Sequence, residues 1–128
     1  MLIIGHPWIK SQRFIKVFAI EDIQKSRAED MILLAPLVDS HLLAIHCQKN
    51  NLSYAVVAHT LDDALFAHAL GAKYIICEAD VALSIQPIAN EYLFDTRILV
   101  RIESEKEISK SAKGGVDGVI FADAIYEN

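Results

Sequence analysis

Five short apolar runs recur along this chain at nearly constant spacing, and a helix-like stretch follows each. They open near Met31, Ser53, Lys73, Arg97 and Asp117, in steps of 20 to 24 residues. A strand that is apolar without alternation is covered on both faces. Strands of that kind alternating with helices build parallel βα units. Met31–Ala35, Tyr54–Ala58, Tyr74–Cys77, Ile98–Val100 and Val119–Phe121 all read this way. The stretch Phe14–Ile20 alternates imperfectly and predicts a sixth strand nearer an edge, where its charges discourage unwanted pairing. Leu2–Ile4 adds at most a short strand, because Pro7 limits its extent.

Helix boundaries follow from caps and periodicity. Thr60 with Asp63, and Ser104 with Glu107, have the spacing of capping boxes, in which side chains satisfy orphan N–H groups. Asp39 and Asp80 are candidate N-caps, and Glu21–Glu29 is an expected early helix. Val81, Ile85, Ile88, Ala89 and Tyr92 share one apolar face. Pro87 interrupts that helix and predicts a kink or a restart at Gln86.

The expected fold class is α/β, a parallel sheet of about six strands built from βα repeats. It is either open, in the flavodoxin-like manner, or a partial (β/α)-barrel. A complete eight-unit barrel needs about 200–250 residues, and the chain has 128. Of the remaining two forms the open sheet is favoured. No linker or low-complexity tract divides the sequence, so residues 1–128 are read as a single domain.

Composition excludes several roles. Hydrophobic residues make up 53% of the chain, enough for a substantial core. Seventeen acidic residues against twelve basic ones give a net charge of −5. With no basic cluster to release counterions, nucleic acid is not an expected partner. No apolar stretch approaches the ~20 residues of a membrane span, and Leu2-Ile3-Ile4 is too short for the core of a secretion signal. Cys47 and Cys77 fit no metal or redox spacing; they read as reduced, structural thiols in a cytoplasmic protein. No HExxH, P-loop, GxGxxG or GxSxG pattern occurs, so no metal or cofactor is expected.

From about Leu52 to Ile125 the sequence carries His59-Thr60-Leu61-Asp62-Asp63-Ala64, then Ala69-Leu70-Gly71-Ala72-Lys73-Tyr74-Ile75, then Gly115-Val116-Asp117-Gly118-Val119-Ile120. This resembles the later βα units of phosphate-binding (β/α)8 enzymes, among them ketohydroxyglutarate and phosphogluconate aldolases and thiamine-phosphate synthase. The resemblance covers a little over half the chain and implies a barrel-type scaffold with its site at the strand carboxyl ends. The family's phosphate loops are glycine-rich, so that backbone N–H groups can approach the anion. Here Arg101-Ile102-Glu103-Ser104 and Ala122-Asp123-Ala124 stand in those places. The aldolases also need a strand-end lysine for a Schiff base. Lys73 begins its strand, at the wrong rim, and Lys16 lies within one. The resemblance therefore implies the scaffold without the catalytic machinery.

Ligands of parallel sheets bind beyond the strand carboxyl ends. That rim carries Asp39, His59, Glu78, Arg101, Glu103 and Asp123. His59 and Glu78 end consecutive strands, with Cα atoms expected about 5 Å apart. A His–carboxylate pair suits general acid–base work. Their structural alternative is a helix-capping His59 beside a solvated Glu78. Arg101, Glu103 and Asp123 are the candidate substrate-binding residues; the alternative is an Arg101–Asp123 rim ion pair. His68 reads as packed and hydrogen-bonded, and His6 as part of a turn beside Trp8. Two functions are carried forward. The first is a non-catalytic binding or assembly module that forms a homodimer. The second is a lyase-like or isomerase-like enzyme for a carboxylate-bearing metabolite, with His59 and Glu78 catalytic.

Overall fold

The computed structural model describes residues 1–127. Its element order is β1 (Leu2–Ile4), β2 (Phe14–Val17), α1 (Ile20–Lys25), β3 (Met31–Leu34), α2 (Leu37–Lys49), β4 (Tyr54–Val57), α3 (Leu61–Ala69), β5 (Tyr74–Cys77), α4 (Ala79–Glu91), β6 (Arg97–Ile102), α5 (Lys106–Lys113), β7 (Gly118–Phe121), a 3₁₀ turn (Ala122–Ala124) and β8 (Ile125–Glu127). Every strand pair is parallel, in the order β1-β7-β6-β5-β4-β3-β2-β8. The sheet thus has eight strands rather than about six. The two beyond six are three-residue strands: β1 at one edge, the short strand allowed for at Leu2–Ile4, and β8, which buds from the end of β7 and leaves no periodic signal.

The sheet is a curled half-barrel, not the favoured open form. β7 and β8 lie six strand positions apart, about 29 Å in a flat sheet. Only Ala122–Ala124 separates them along the chain, a reach of about 14 Å at full extension. Curling resolves the conflict. The rings of Phe14 on β2 and Tyr74 on β5 make the same point: three strands apart, their centroids are 5.7 Å from each other. The strands are also steeply staggered, as curling requires. Successive partners Lys16, Leu33, Ala55, Tyr74 and Arg97 descend to the amino rim, whereas Lys16 itself pairs with Glu127.

Alternate side chains of each strand divide into two cores. Phe14, Met31, Leu33, Ala55, Ile76, Leu99 and Ile120 fill the inside of the curl. Ile32, Leu34, Val56, Ile75, Ile98, Val100 and Val119 face the helices. There they meet alanines such as Ala44, Ala64, Ala67 and Ala82, small enough to seat helices closely on the sheet. Both faces are apolar, which explains the unbroken runs in the sequence.

Local departures from the sequence reading are modest. The strand expected over Phe14–Ile20 stops at Val17, and α1 is shorter than Glu21–Glu29. α4 runs on through Pro87. Asp39 and Asp80 occupy first helical turns, while Pro36 and Glu78 hold the N-cap positions. His68 stacks on Phe94 at 3.9 Å, with Nδ1 3.4 Å from Thr96 Oγ1. His6 is buried, its Nδ1 accepting from Trp8 N–H and its Nε2 2.5 Å from Glu105 Oε1. Among the described residues no helix is long and apolar enough to cross a membrane.

Candidate functional site

The carboxyl mouth of the curled sheet encloses a cavity of ≈ 230 Å³. Its walls are apolar, formed by Leu33, Val57, Ile76 and Ile125; Lys16, His59, Glu78 and Arg101 bring the charge and proton-transfer chemistry. Three of these four form a row. Val57 pairs with Ile76, and Cys77 with Val100. Continuing that register sets His59 opposite Glu78, and Glu78 opposite Arg101, on neighbouring strands with about 5 Å between Cα atoms.

Local structure fixes each position. His59 opens the loop from β4 into α3, where the Asp63 carboxylate accepts its backbone N–H at 2.8 Å and that of Thr60 at 3.2 Å. Asp63 N–H donates in turn to Thr60 Oγ1, completing the capping box. His59 is therefore held by its backbone and leaves the imidazole free. Glu78 is the N-cap residue of α4, and its side chain makes no cap bond. Among the described residues neither the His59 ring nor the Glu78 carboxylate has a hydrogen bond or ion pair within the chain.

The two cations are partnered loosely. Arg101 lies 3.4 Å from Glu103, and Lys16 3.3 Å from Glu127; those carboxylates are 74% and 69% exposed. Ion pairs this exposed contribute little and are readily exchanged. Asp123 stands apart: it is exposed in the 3₁₀ turn, does not line the cavity, and forms no ion pair with Arg101. Arg101 pairs with Glu103 instead of the Asp123 partner considered from the sequence.

Cys77 also borders the cavity, with its thiol packed in the core that faces the helices. Burial, with Glu78 and Asp80 nearby, pushes its pKa up to about 12. It is a neutral thiol at pH 7 and a poor nucleophile. Among the described residues no cluster of three or more His, Cys, Asp or Glu side chains is arranged to hold a metal ion.

The same capping device recurs around the rim and bears on anion binding. Asp22 accepts the N–H groups of Phe18 and Ala19, Asp63 those of His59 and Thr60, and Glu107 those of Glu103 and Ser104. These bonds hold the Glu107 carboxyl below its ordinary range. At these three helix starts, loop N–H groups of the kind a phosphate loop uses are already taken by carboxylates.

Sequence reasoning weighed Lys16 only as a Schiff-base lysine and missed its place in the mouth wall. Its signal is a charge two residues after Phe14 in an otherwise apolar strand, which puts both on the inward face. Recognising that needs the inward parity of β2, and the curl sets it. No protein-family model matches the chain, and no curated protein compared with it matches.

Proposed function

We propose that this chain acts on a small carboxylate-bearing metabolite at the mouth of its curled sheet, as a lyase-like or isomerase-like enzyme. The observation that carries this reading is the meeting of His59, Glu78 and Arg101 in one cavity, with the imidazole and the Glu78 carboxylate unpartnered. Arg101 grips the substrate carboxylate through its forked N–H groups in exchange for exposed Glu103. His59 takes a proton from the carbon next to that carboxylate. The electron pair of that C–H bond passes into the adjacent carboxylate, whose added charge Arg101 offsets, while Glu78 steadies the His59 imidazolium. The imidazolium then returns the proton to carbon, or gives it to a group expelled from the neighbouring carbon. The volume, comparable to about seven or eight waters, suits a short carbon skeleton rather than a nucleotide. The compartment that fits is the cytoplasm, since Cys47 and Cys77 are buried free thiols.

The test is deuterium incorporation at C2 of small 2-hydroxy acids in D2O, followed by proton NMR. Wild type should catalyse exchange; His59→Gln and Glu78→Gln should each slow it by about 10²-fold or more. Arg101→Gln should raise KM more than it lowers kcat. Absence of both exchange and binding across the panel overturns the reading.

The second reading is a non-catalytic module assembling as a homodimer. It is favoured by the exposure of Val38 and Leu42 on α2, Phe66 on α3 and Leu83 on α4, large apolar side chains on successive outer helices.

A further inference from the structure

Beside the mouth cavity lies a second cleft of ≈ 190 Å³, bordered by Phe18, Ala35 and Pro36. Lys16, Leu33 and Val57 border both spaces, so the two adjoin. We propose that the ligand is a carboxylic acid bearing an aromatic or branched apolar group, with the carboxylate at the mouth and the apolar group in this cleft. The inference rests on the mouth being the ligand site.

Chemistry divides along that junction. The mouth carries Arg101, His59 and Glu78; the cleft has no charged group except Lys16, which stands at the boundary. A carboxylate between Lys16 and Arg101 directs its carbon skeleton along Leu33 and Val57 into the cleft. Size agrees with a ring or branched chain, because an apolar cavity of about 150 Å³ admits benzene. Phe18 is 66% exposed at this edge, although the Asp22 carboxylate ties down its backbone N–H at 2.9 Å. An anchored, outward aromatic beside a charged cavity is a recognition surface, since burying it would gain more than leaving it in water. The occupied loop N–H groups at three helix starts favour a carboxylate over a phosphate as the head group.

The experiment is an amide-shift NMR titration with phenylacetate, acetate and inorganic phosphate as probes. Phenylacetate should bind at least tenfold more tightly than acetate and shift amides at Phe18, Ala35 and Arg101 together. Phe18→Ala should weaken phenylacetate at least fivefold and leave acetate unchanged; Phe18 is exposed enough for the fold to tolerate truncation. Ala35→Leu, which fills the cleft, should do the same. Equal affinities for the two acids at the mouth, or indifference to both variants, overturns this inference and leaves the mouth as a carboxylate site. If neither acid perturbs His59, Glu78 or Arg101, the site reading falls and takes the inference with it. Phosphate binding as tightly as phenylacetate overturns the carboxylate assignment.

Discussion

Asp30 has a side chain only 1% exposed, at the turn leading into β3. Burial alone would raise its pKa. Arg13 outweighs that with bonds of 3.1 and 3.0 Å, and Arg27 N–H adds one of 2.9 Å, so the carboxyl sits below its ordinary range. A carboxyl that ionises more readily in the folded chain contributes stability above its unfolded pKa of about 3.9. That contribution fades as pH falls through the folded value. Urea denaturation should therefore show Asp30→Asn losing stability at pH 7 while converging on wild type near pH 2. Arg13→Gln should cost about 1–2 kcal/mol at pH 7, since it strands a buried carboxylate whose cation was partly exposed. At this scale the sequence was informative for caps, because Thr60 and Asp63 bond locally across three residues. It was silent on Arg13 and Asp30, which meet only when β2 and β3 align.

Element packing turns on the seam where β1 joins the sheet. A Cβ on Gly118 would lie 2.6 Å from both the Cβ and the carbonyl oxygen of Leu2, so glycine allows the two strands their closeness. Leu2 pairs with Gly118, Ile3 with Val119 and Ile4 with Ile120. Gly118→Ala should push β1 away, costing about 1–3 kcal/mol. Hydrogen exchange at amides 2–4 and 118–120 should accelerate before the rest of the sheet. If those amides keep their protection, the seam is looser than the geometry implies. Strands β3 to β7 were legible because two buried faces demand unbroken apolar runs. β1 was legible only as a short optional strand over Leu2–Ile4, which is its observed extent; β8 was not, since a three-residue strand that continues another after a 3₁₀ turn has no boundary signal in the residues.

At the scale of the molecule, the curl converts a row of strand ends into a mouth. His59, Glu78 and Arg101 would line up along the edge of a flat sheet too; curling turns that edge into walls and adds Lys16 from β2. On the outside, the exposed Val38, Leu42, Phe66 and Leu83 bear on assembly. A dimer through these helices should give a light-scattering mass of twice 14.2 kDa that falls to one chain on dilution. Leu42→Lys should lower that association at least tenfold. A single-chain mass at all concentrations removes the assembly reading and leaves the mouth site untouched.

The sequence by itself determined what depends on neighbours along the chain: strands buried on both faces, helices opened by capping carboxylates, and chemistry-bearing residues at the carboxyl ends of successive strands. Tertiary structure alone decided the curl, because inward and outward parity, strand stagger and the joining of distant edges arise from side chains far apart in sequence. That decision gave Lys16 to the mouth, left Asp123 out of its walls and opened the apolar cleft beside it.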